Sequence, residues 1–431
     1  MIDLRNKHRP LSLLALVLGF SVLCTQQIFA QDSTRATADS FHQQDLKDWL
    51  VQKKILKPKP PKNSFLLIVP VIASNPSAGF IFGGGLSYVL KTRTAITRLS
   101  SISANATYST KGQLNLNVKS NMFVLKDKLV LNGDWRFQVF SEDTYGLGTN
   151  RKQYSNGDFV NGINGVQTNE DSVAQLLKYN LIRFHETGSW NLFPNFFAGI
   201  GFQFDEYSAI KDAAFDNGDS NRAFHYQYSK ANGFNADKYN VAGWCLNLLY
   251  DSRDNQVNAY KGYYANVNYS LNSKVFGSTQ SSQLLLVEYR SFHALDGNKQ
   301  RNILSFWLYG NVVTNGKVPY LYLPALGYDQ RQKTGRGYPF GRFRGEGMMY
   351  GESEYRFPIS KRTGILGGVV FANVTSTSDK SNDVKLMQYL RPGYGAGLRV
   401  MVDKQSRTRL NIDAAVGNGK LGFYFGALET F

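Results

Sequence analysis

The chain has 431 residues, 14% of them aromatic, with 25 tyrosines and 40 glycines, and its 49 basic side chains outnumber 32 acidic ones for a formal charge of +17. No apolar run reaches the roughly 20 residues of a transmembrane helix, which excludes a helical membrane protein. The two cysteines are Cys24 and Cys245.

Arg5, Lys7 and Arg9 precede an apolar run over residues 11–24, and Ile28-Phe29-Ala30 precedes Gln31. These are the three parts of a secretory signal peptide, so residues 1–30 are expected to be removed on export. Cys24 leaves with them, and Cys245 then has no partner for an intramolecular disulfide. Nucleic acid, the usual partner of a basic chain, is not expected for an exported one; anionic lipid head groups and lipopolysaccharide are. Residues 31–64 are polar and close on Pro58, Pro60 and Pro61. Within them Leu46, Trp49 and Leu50 fall at i, i+3, i+4, the spacing of a short amphipathic helix or of a leader with chance periodicity. The segment is too short for a globular domain.

From residue 65 to 431 alternation dominates. Leu114, Leu116 and Val118 alternate with Gln113, Asn115, Asn117 and Lys119; Trp135, Phe137 and Val139 with Asp134, Arg136 and Gln138; Leu410 and Ile412 with Arg409, Asn411 and Asp413. Sixteen strands are expected near 65–73, 79–91, 98–110, 112–124, 127–141, 173–185, 192–208, 238–251, 260–273, 280–293, 301–314, 347–359, 363–375, 388–402, 406–416 and 419–431. The long connections, 142–171, 208–236, 315–345 and 375–388, all fall at odd positions, while 91–96, 125–127, 186–189, 360–363 and 403–407 fall at even ones. Short turns on one rim and long loops on the other distinguish an outer-membrane barrel from a soluble sandwich. Closure also gives every strand N–H and C=O a partner in hydrocarbon. The expected fold is all-β, a 16-stranded antiparallel transmembrane β-barrel, with the basic, glycine-rich stretch 315–345 folded into its lumen.

No catalytic constellation emerges. Asp251, Arg253 and Asp254 would suit a carboxylate pair, but a charged periplasmic turn fits better, because hydrolytic chemistry needs a nucleophile or base in a dry pocket. His42, His185, His225 and His293 are far apart and lack metal-ligand spacing. No GxSxG elbow is present, and the glycines at 83–85 precede a strand rather than a phosphate-cradling helix. No enzyme activity, cofactor or metal is expected. Pro70 removes a ladder donor from the first strand, and Gly422 and Gly426 thin the last. Each missing hydrogen bond gives up roughly 0.5–1.5 kcal/mol, so a weak seam is expected between these strands.

Arg336-Gly337-Tyr338, then Gly-Glu-Ser-Glu-Tyr-Arg-Phe-Pro-Ile at 351–359, then Phe371-Ala372-Asn373 resemble the large-loop motif and following strands of the BamA/TamA superfamily, also called the bacterial surface antigen family. Asp251, Arg253 and Asp254 with Gly262 resemble its periplasmic turn after the eighth strand. The alternating terminal segment Leu421, Phe423, Phe425, Ala427, Phe431 resembles the C-terminal signal read by the barrel-assembly machinery. The resemblance spans residues 65–431 and implies residence in the bacterial outer membrane. It also implies that Arg336 reaches down to Glu354 on the lumen face, beside Glu352, with Phe371 and Asn373 on the next strand. Asn373 replaces the family's usual aspartate, which predicts a less tightly held loop. The family's periplasmic docking domains find no counterpart in residues 31–64, so the resemblance is to the barrel. The implied function is insertion or translocation of proteins or lipids at the outer membrane. The alternatives are a passive pore, or a surface-exposed binding protein or antigen acting through the long loops.

Overall fold

A computed structural model of the chain describes residues 43–58, 63–75, 79–91, 98–149, 159–161, 166–168, 174–220, 223–297, 301–427 and 429–431; the expected signal peptide lies outside these. Sixteen strands join in one antiparallel sheet in strict chain order. They are β1 (Ser64–Asn75), β2 (Gly79–Lys91), β3 (Leu99–Ser109), β4 (Leu114–Val124), β5 (Leu129–Thr144), β6 (Gln175–Phe193), β7 (Phe196–Asp212) and β8 (Tyr239–Asp251). The second half comprises β9 (Gly262–Asn272), β10 (Ser282–Ala294), β11 (Ile303–Gly316), β12 (Gly347–Pro358), β13 (Leu366–Thr377), β14 (Arg391–Asp403), β15 (Thr408–Gly417) and β16 (Lys420–Ala427). A separate small hairpin pairs Phe159–Asn161 with Val166–Thr168 in the β5–β6 connection.

Which face is apolar decides the solvent. Along β5, Trp135, Phe137 and Val139 point outward at 37–45% exposure, while Asp134, Arg136 and Gln138 point inward at 5–6%. On β16, Leu421, Phe423 and Phe425 are likewise on the open side. A water-soluble sheet buries its apolar face; this one turns it outward and keeps its charges inside, the arrangement a bilayer selects.

Strand ends shift from the sequence reading by several residues in places, and two of the differences are informative. The turn expected at 186–189 is strand; β6 runs on to Phe193, and the chain reverses at Pro194-Asn195. Proline is suited to the turn because it has no N–H to give a ladder, and Asn195 takes a left-handed φ of 65°, which asparagine tolerates. The polar Glu186-Thr187-Gly188-Ser189 run only imitated a turn. At the other end β16 stops at Ala427, and residues 429–431 leave the sheet for the interior, where Glu429, Thr430 and Phe431 are buried.

Helix α1 (Leu46–Gln52) is closed by a capping box of Asp45 and Asp48. It lies on the short-turn rim, where Lys47 Nζ reaches Asp403 Oδ1 at 3.1 Å, Lys404 Nζ reaches Asp48 at 2.7 Å, and the Gln44 N–H donates to the Thr363 carbonyl. The opposite rim is roofed by helices α2 (Ala213–Asp216) and α3 (Phe224–Asn232) and by a 3-10 turn at Tyr320–Tyr322. Here Tyr228 and Tyr239 flank Tyr320 and His225, and Phe224, Leu321 and Leu323 fill the spaces between them.

His225 is buried in this roof against the Tyr239 hydroxyl at 3.2 Å. Burial, reinforced by nearby Arg344, pushes its imidazole down to about 3. The unfolded roof therefore takes up a proton that the folded roof refuses between about pH 6.5 and 3, and roof stability, full above pH 6.5, falls as pH drops through that window. Proteolysis of residues 213–238 on intact cells should be faster at pH 4.5 than at pH 7.5, and His225→Phe should flatten the difference; equal acid sensitivity in the variant would refute this assignment.

Candidate functional site in the barrel lumen

Residues 317–346 run from β11 to β12 through the lumen. The segment braces itself: the Leu326 N–H donates to the Phe343 carbonyl at 2.9 Å and that of Gly345 to the Pro324 carbonyl at 3.0 Å. Arg344, wholly buried, donates to the Tyr320 carbonyl at 2.9 Å, the Tyr328 hydroxyl at 2.8 Å and Glu142 on β5 at 3.1 Å. The tip is turned by Asp329, whose carboxylate accepts from the backbone N–H groups of Arg331, Lys333 and Thr334 and from the Thr334 hydroxyl.

On the far wall the segment meets a second cluster. Arg336 donates to Glu352 through Nη2 at 2.5 Å and Nε at 3.3 Å, to Asp413 through Nη1 at 2.9 Å, and to Glu354 through Nη2. Its guanidinium lies 3.4 Å from the centre of the Phe371 ring. The carboxylates have further partners: Arg356 holds Glu354 at 2.6 Å, Arg399 holds Asp413 at 2.5 Å and Glu429 at 2.7 Å, Arg409 reaches Glu429 at 3.5 Å, and the Tyr350 hydroxyl donates to Glu352. Four guanidinium groups thus face four carboxylates. A planar, permanently charged fork suits such a shared, dehydrated arrangement, and a point-charge ammonium does not.

The backbone comes equally close. Gly337 sits at φ 103°, and a Cβ there would meet the Val416 carbonyl carbon at 2.9 Å, so both conformation and space require glycine. Its N–H donates to the Tyr424 hydroxyl at 2.8 Å, and the Tyr338 hydroxyl donates to the Pro392 carbonyl at 2.6 Å. Asn373 donates Nδ2 to the Arg336 carbonyl at 2.9 Å. An aspartate has no proton to offer there and would face Glu352, whose Oε2 is 3.5 Å from the same amide nitrogen. Asn373 thus binds the segment's backbone, and Asp413 supplies a third carboxylate to Arg336.

Residues 98–431 match the Omp85 superfamily domain. The chain belongs to the Omp85 superfamily. Its fold is similar to that of BamA from Haemophilus ducreyi lacking POTRA domains 1–3, with a TM-score of 0.50 at 13% identity over 86% of this chain and 70% of that one. It is also similar to CdiB from Escherichia coli, with a TM-score of 0.52 at 9% identity over 86% of this chain and 63% of that one. The chain thus spans about two thirds of these structures. No curated protein matches it. Omp85 barrels reside in the bacterial outer membrane and are transport and insertion barrels rather than enzymes.

The other residues singled out in the sequence fall at two places in this Omp85 barrel. On the short-turn rim, Arg253 grips Asp251 through Nε at 2.9 Å and Nη2 at 2.8 Å, and Asp254 accepts from the Tyr260 and Lys261 N–H groups and pairs with Arg407 at 2.7 Å. Gly262, at φ 106°, passes against Ser252, where a Cβ would come 2.4 Å from the carbonyl oxygen. These groups satisfy one another within this turn and the neighbouring one that carries Arg407. At the sheet ends, Pro70 faces Gly84 across β1–β2, while Gly422 and Gly426 face Ala415 and Asn411 across β15–β16. Among the described residues no ladder joins β1 to β16. Phe431 lies in neither place: its ring packs inside the lumen on Trp307 and Phe292, with centroids 5.3 and 6.2 Å away, and its carbonyl accepts from Arg356 at 3.2 Å. Asp413, Arg399, Glu429 and Tyr424 were not named in the sequence as partners of Arg336. The alternation had placed Asp413 on the polar face, which was the available signal.

Proposed function

We propose that this barrel inserts or translocates proteins or lipids at the outer membrane by a lateral route between β1 and β16, with the Arg336 cluster holding segment 317–346 as a fixed internal plug. The observation that carries this reading is the pair of strand edges that, among the described residues, no ladder joins. In hydrocarbon an unpaired N–H or C=O is costly, so edges presented there favour pairing with a strand or admitting a polar group. Passive axial flow is disfavoured by the same interior: the plug is braced to β5 through Arg344–Glu142 and to β12 and β15 through Arg336, beneath an aromatic roof. Outer-membrane lipids and lipopolysaccharide, the assembly machinery during biogenesis, and a protein or lipid substrate are the partners this reading requires.

The test combines depletion with a staple. A cysteine in β1 and another in β16, placed in a Cys245→Ser background, are oxidised in cells holding no other copy, and the outer-membrane proteins and lipids are then inventoried. The stapled strain should match the depleted one, with the same species lost from the membrane, and reductant should restore them. A normal inventory with the staple closed would remove the lateral route.

A further inference from the structure

Below the tip of segment 317–346 lies a cavity of about 390 Å³, bounded by β3, β4, the 251–257 turn and the inner end of β16. That volume is within the ~300–1,000 Å³ range of small-ligand sites. Its wall includes Asp251, Arg253, Arg290 and Glu429, which are ion-paired like the charges elsewhere in the lumen, and three cations that are not. Arg136, Arg183, Arg253, Arg290, Arg336, Arg344, Arg356 and Arg399 each have a carboxylate oxygen within ion-pair distance. Lys119, Arg331 and Lys333 line the cavity, and among the described residues none has one. Lys119 Nζ donates to the neutral Gln332 Oε1 at 3.3 Å. Asp329 accepts from the tip's own backbone and from Thr334 and is not within ion-pair distance of the three.

Three cations with no carboxylate in ion-pair contact share one semi-enclosed space, whose lining carries more basic than acidic side chains. An anion entering this space would meet all three. We infer that this cavity binds a phosphate-bearing anion carrying two or more negative charges. A single carboxylate would leave two cations unmatched, whereas a phosphomonoester or diphosphate offers several oxygens to one planar guanidinium and two mobile ammonium groups. Ser101, Ser103 and Asn105, also on the cavity wall, supply neutral donors. The capped turn at 329–334 presents Arg331 and Lys333 on a braced backbone, with Gln332 between them in a left-handed conformation. Because Ala427 and Glu429 border the same space, the anion has two possible sources: a phosphomonoester on a membrane lipid at the seam, or a soluble phosphate. The site does not depend on whether the seam opens.

The test uses the full-length protein in neutral detergent, titrated calorimetrically with pyrophosphate and with dihexanoyl phosphatidic acid; dihexanoyl phosphatidylcholine is the control. Pyrophosphate is expected to bind, to bind at least tenfold more weakly to the Arg331→Gln, Lys333→Gln double variant, and not to bind once Lys119→Gln is added, while Lys119→Arg alone retains binding. Tighter binding of phosphatidic acid than of pyrophosphate assigns a lipid source, and equal or weaker binding a soluble one. Thermal midpoints give an independent reading: the anion should raise that of the native protein, and the triple variant without anion should melt no lower than the native protein, its repulsion having been removed. Absence of binding by both phosphates, unchanged affinity in the triple variant, or a triple variant that melts lower and never responded to anion would each overturn the assignment.

Discussion

Arg336→Ala is expected to release segment 317–346 from the far wall of the barrel. The substitution leaves Glu352, Glu354 and Asp413 buried with one guanidinium fewer, and stripping the partner from a buried charge costs roughly 3–5 kcal/mol. An open state of the segment should then be populated about a hundred to several thousand times more often, because each 1.4 kcal/mol is tenfold. Protease added to intact cells should cut within 317–346 in the variant and not in the parent, and the compact form seen on unheated gels should be lost at lower temperature. Glu354→Ala should act in the same direction but less, since Arg336 keeps Glu352 and Asp413. Arg336→Lys should rescue poorly, because one ammonium cannot reach three carboxylates in a plane. Unchanged protection in both alanine variants would show that the cluster does not hold the segment.

Phe431→Ala is expected to destabilise the finished barrel from within. Its ring is 2% exposed and rests on Trp307, which is itself fully buried and donates Nε1 to Glu288 at 2.7 Å. Removing a buried phenylalanine costs about 3–5 kcal/mol. The informative measurement is refolding of purified chain into lipid without any assembly machinery: the alanine variant should melt lower than the parent there, and Phe431→Leu should recover most of the loss. If the refolded variant is as stable as the parent and the defect appears only in cells, the terminal ring serves recognition during assembly and contributes nothing to packing.

Strand number, order and facing were readable because a lipid-facing barrel writes them into every second residue, and the loop parity followed from the rim each connection crosses. Glu352 and Glu354 were readable as lumen residues for the same reason. Alternation says which side a residue faces but not its height or its neighbour across the lumen. Asp413, 77 positions from Arg336, and the Arg399–Glu429 pair were for that reason known only as polar-face residues or not noticed. The bond from Asn373 to the Arg336 carbonyl was not legible either, because counting charge says nothing about a backbone carbonyl that needs a donor. The last strand was drawn through to Phe431 because a hydrophobic end to an alternating strand reads as more strand, and nothing local marks the inward turn after Ala427. The false turn at 186–189 had the same origin: polar residues and a glycine suggest a reversal, whereas Pro194-Asn195 enforces one.

The partners of Arg336 also set an order of events during biogenesis. Glu352 and Glu354 lie on β12, next after the segment itself, but Asp413 and Tyr424 belong to the last two strands, and Glu429 follows the final one. A chain that has laid down only β12 offers Arg336 two carboxylates and no counterweight from Arg399. The latch can close fully only after the C-terminal hairpin has arrived. Docking of the segment is therefore a readout of completeness: a barrel truncated or stalled before β15 would keep its interior segment loose and cleavable, and so be distinguishable from a finished one by quality-control proteases.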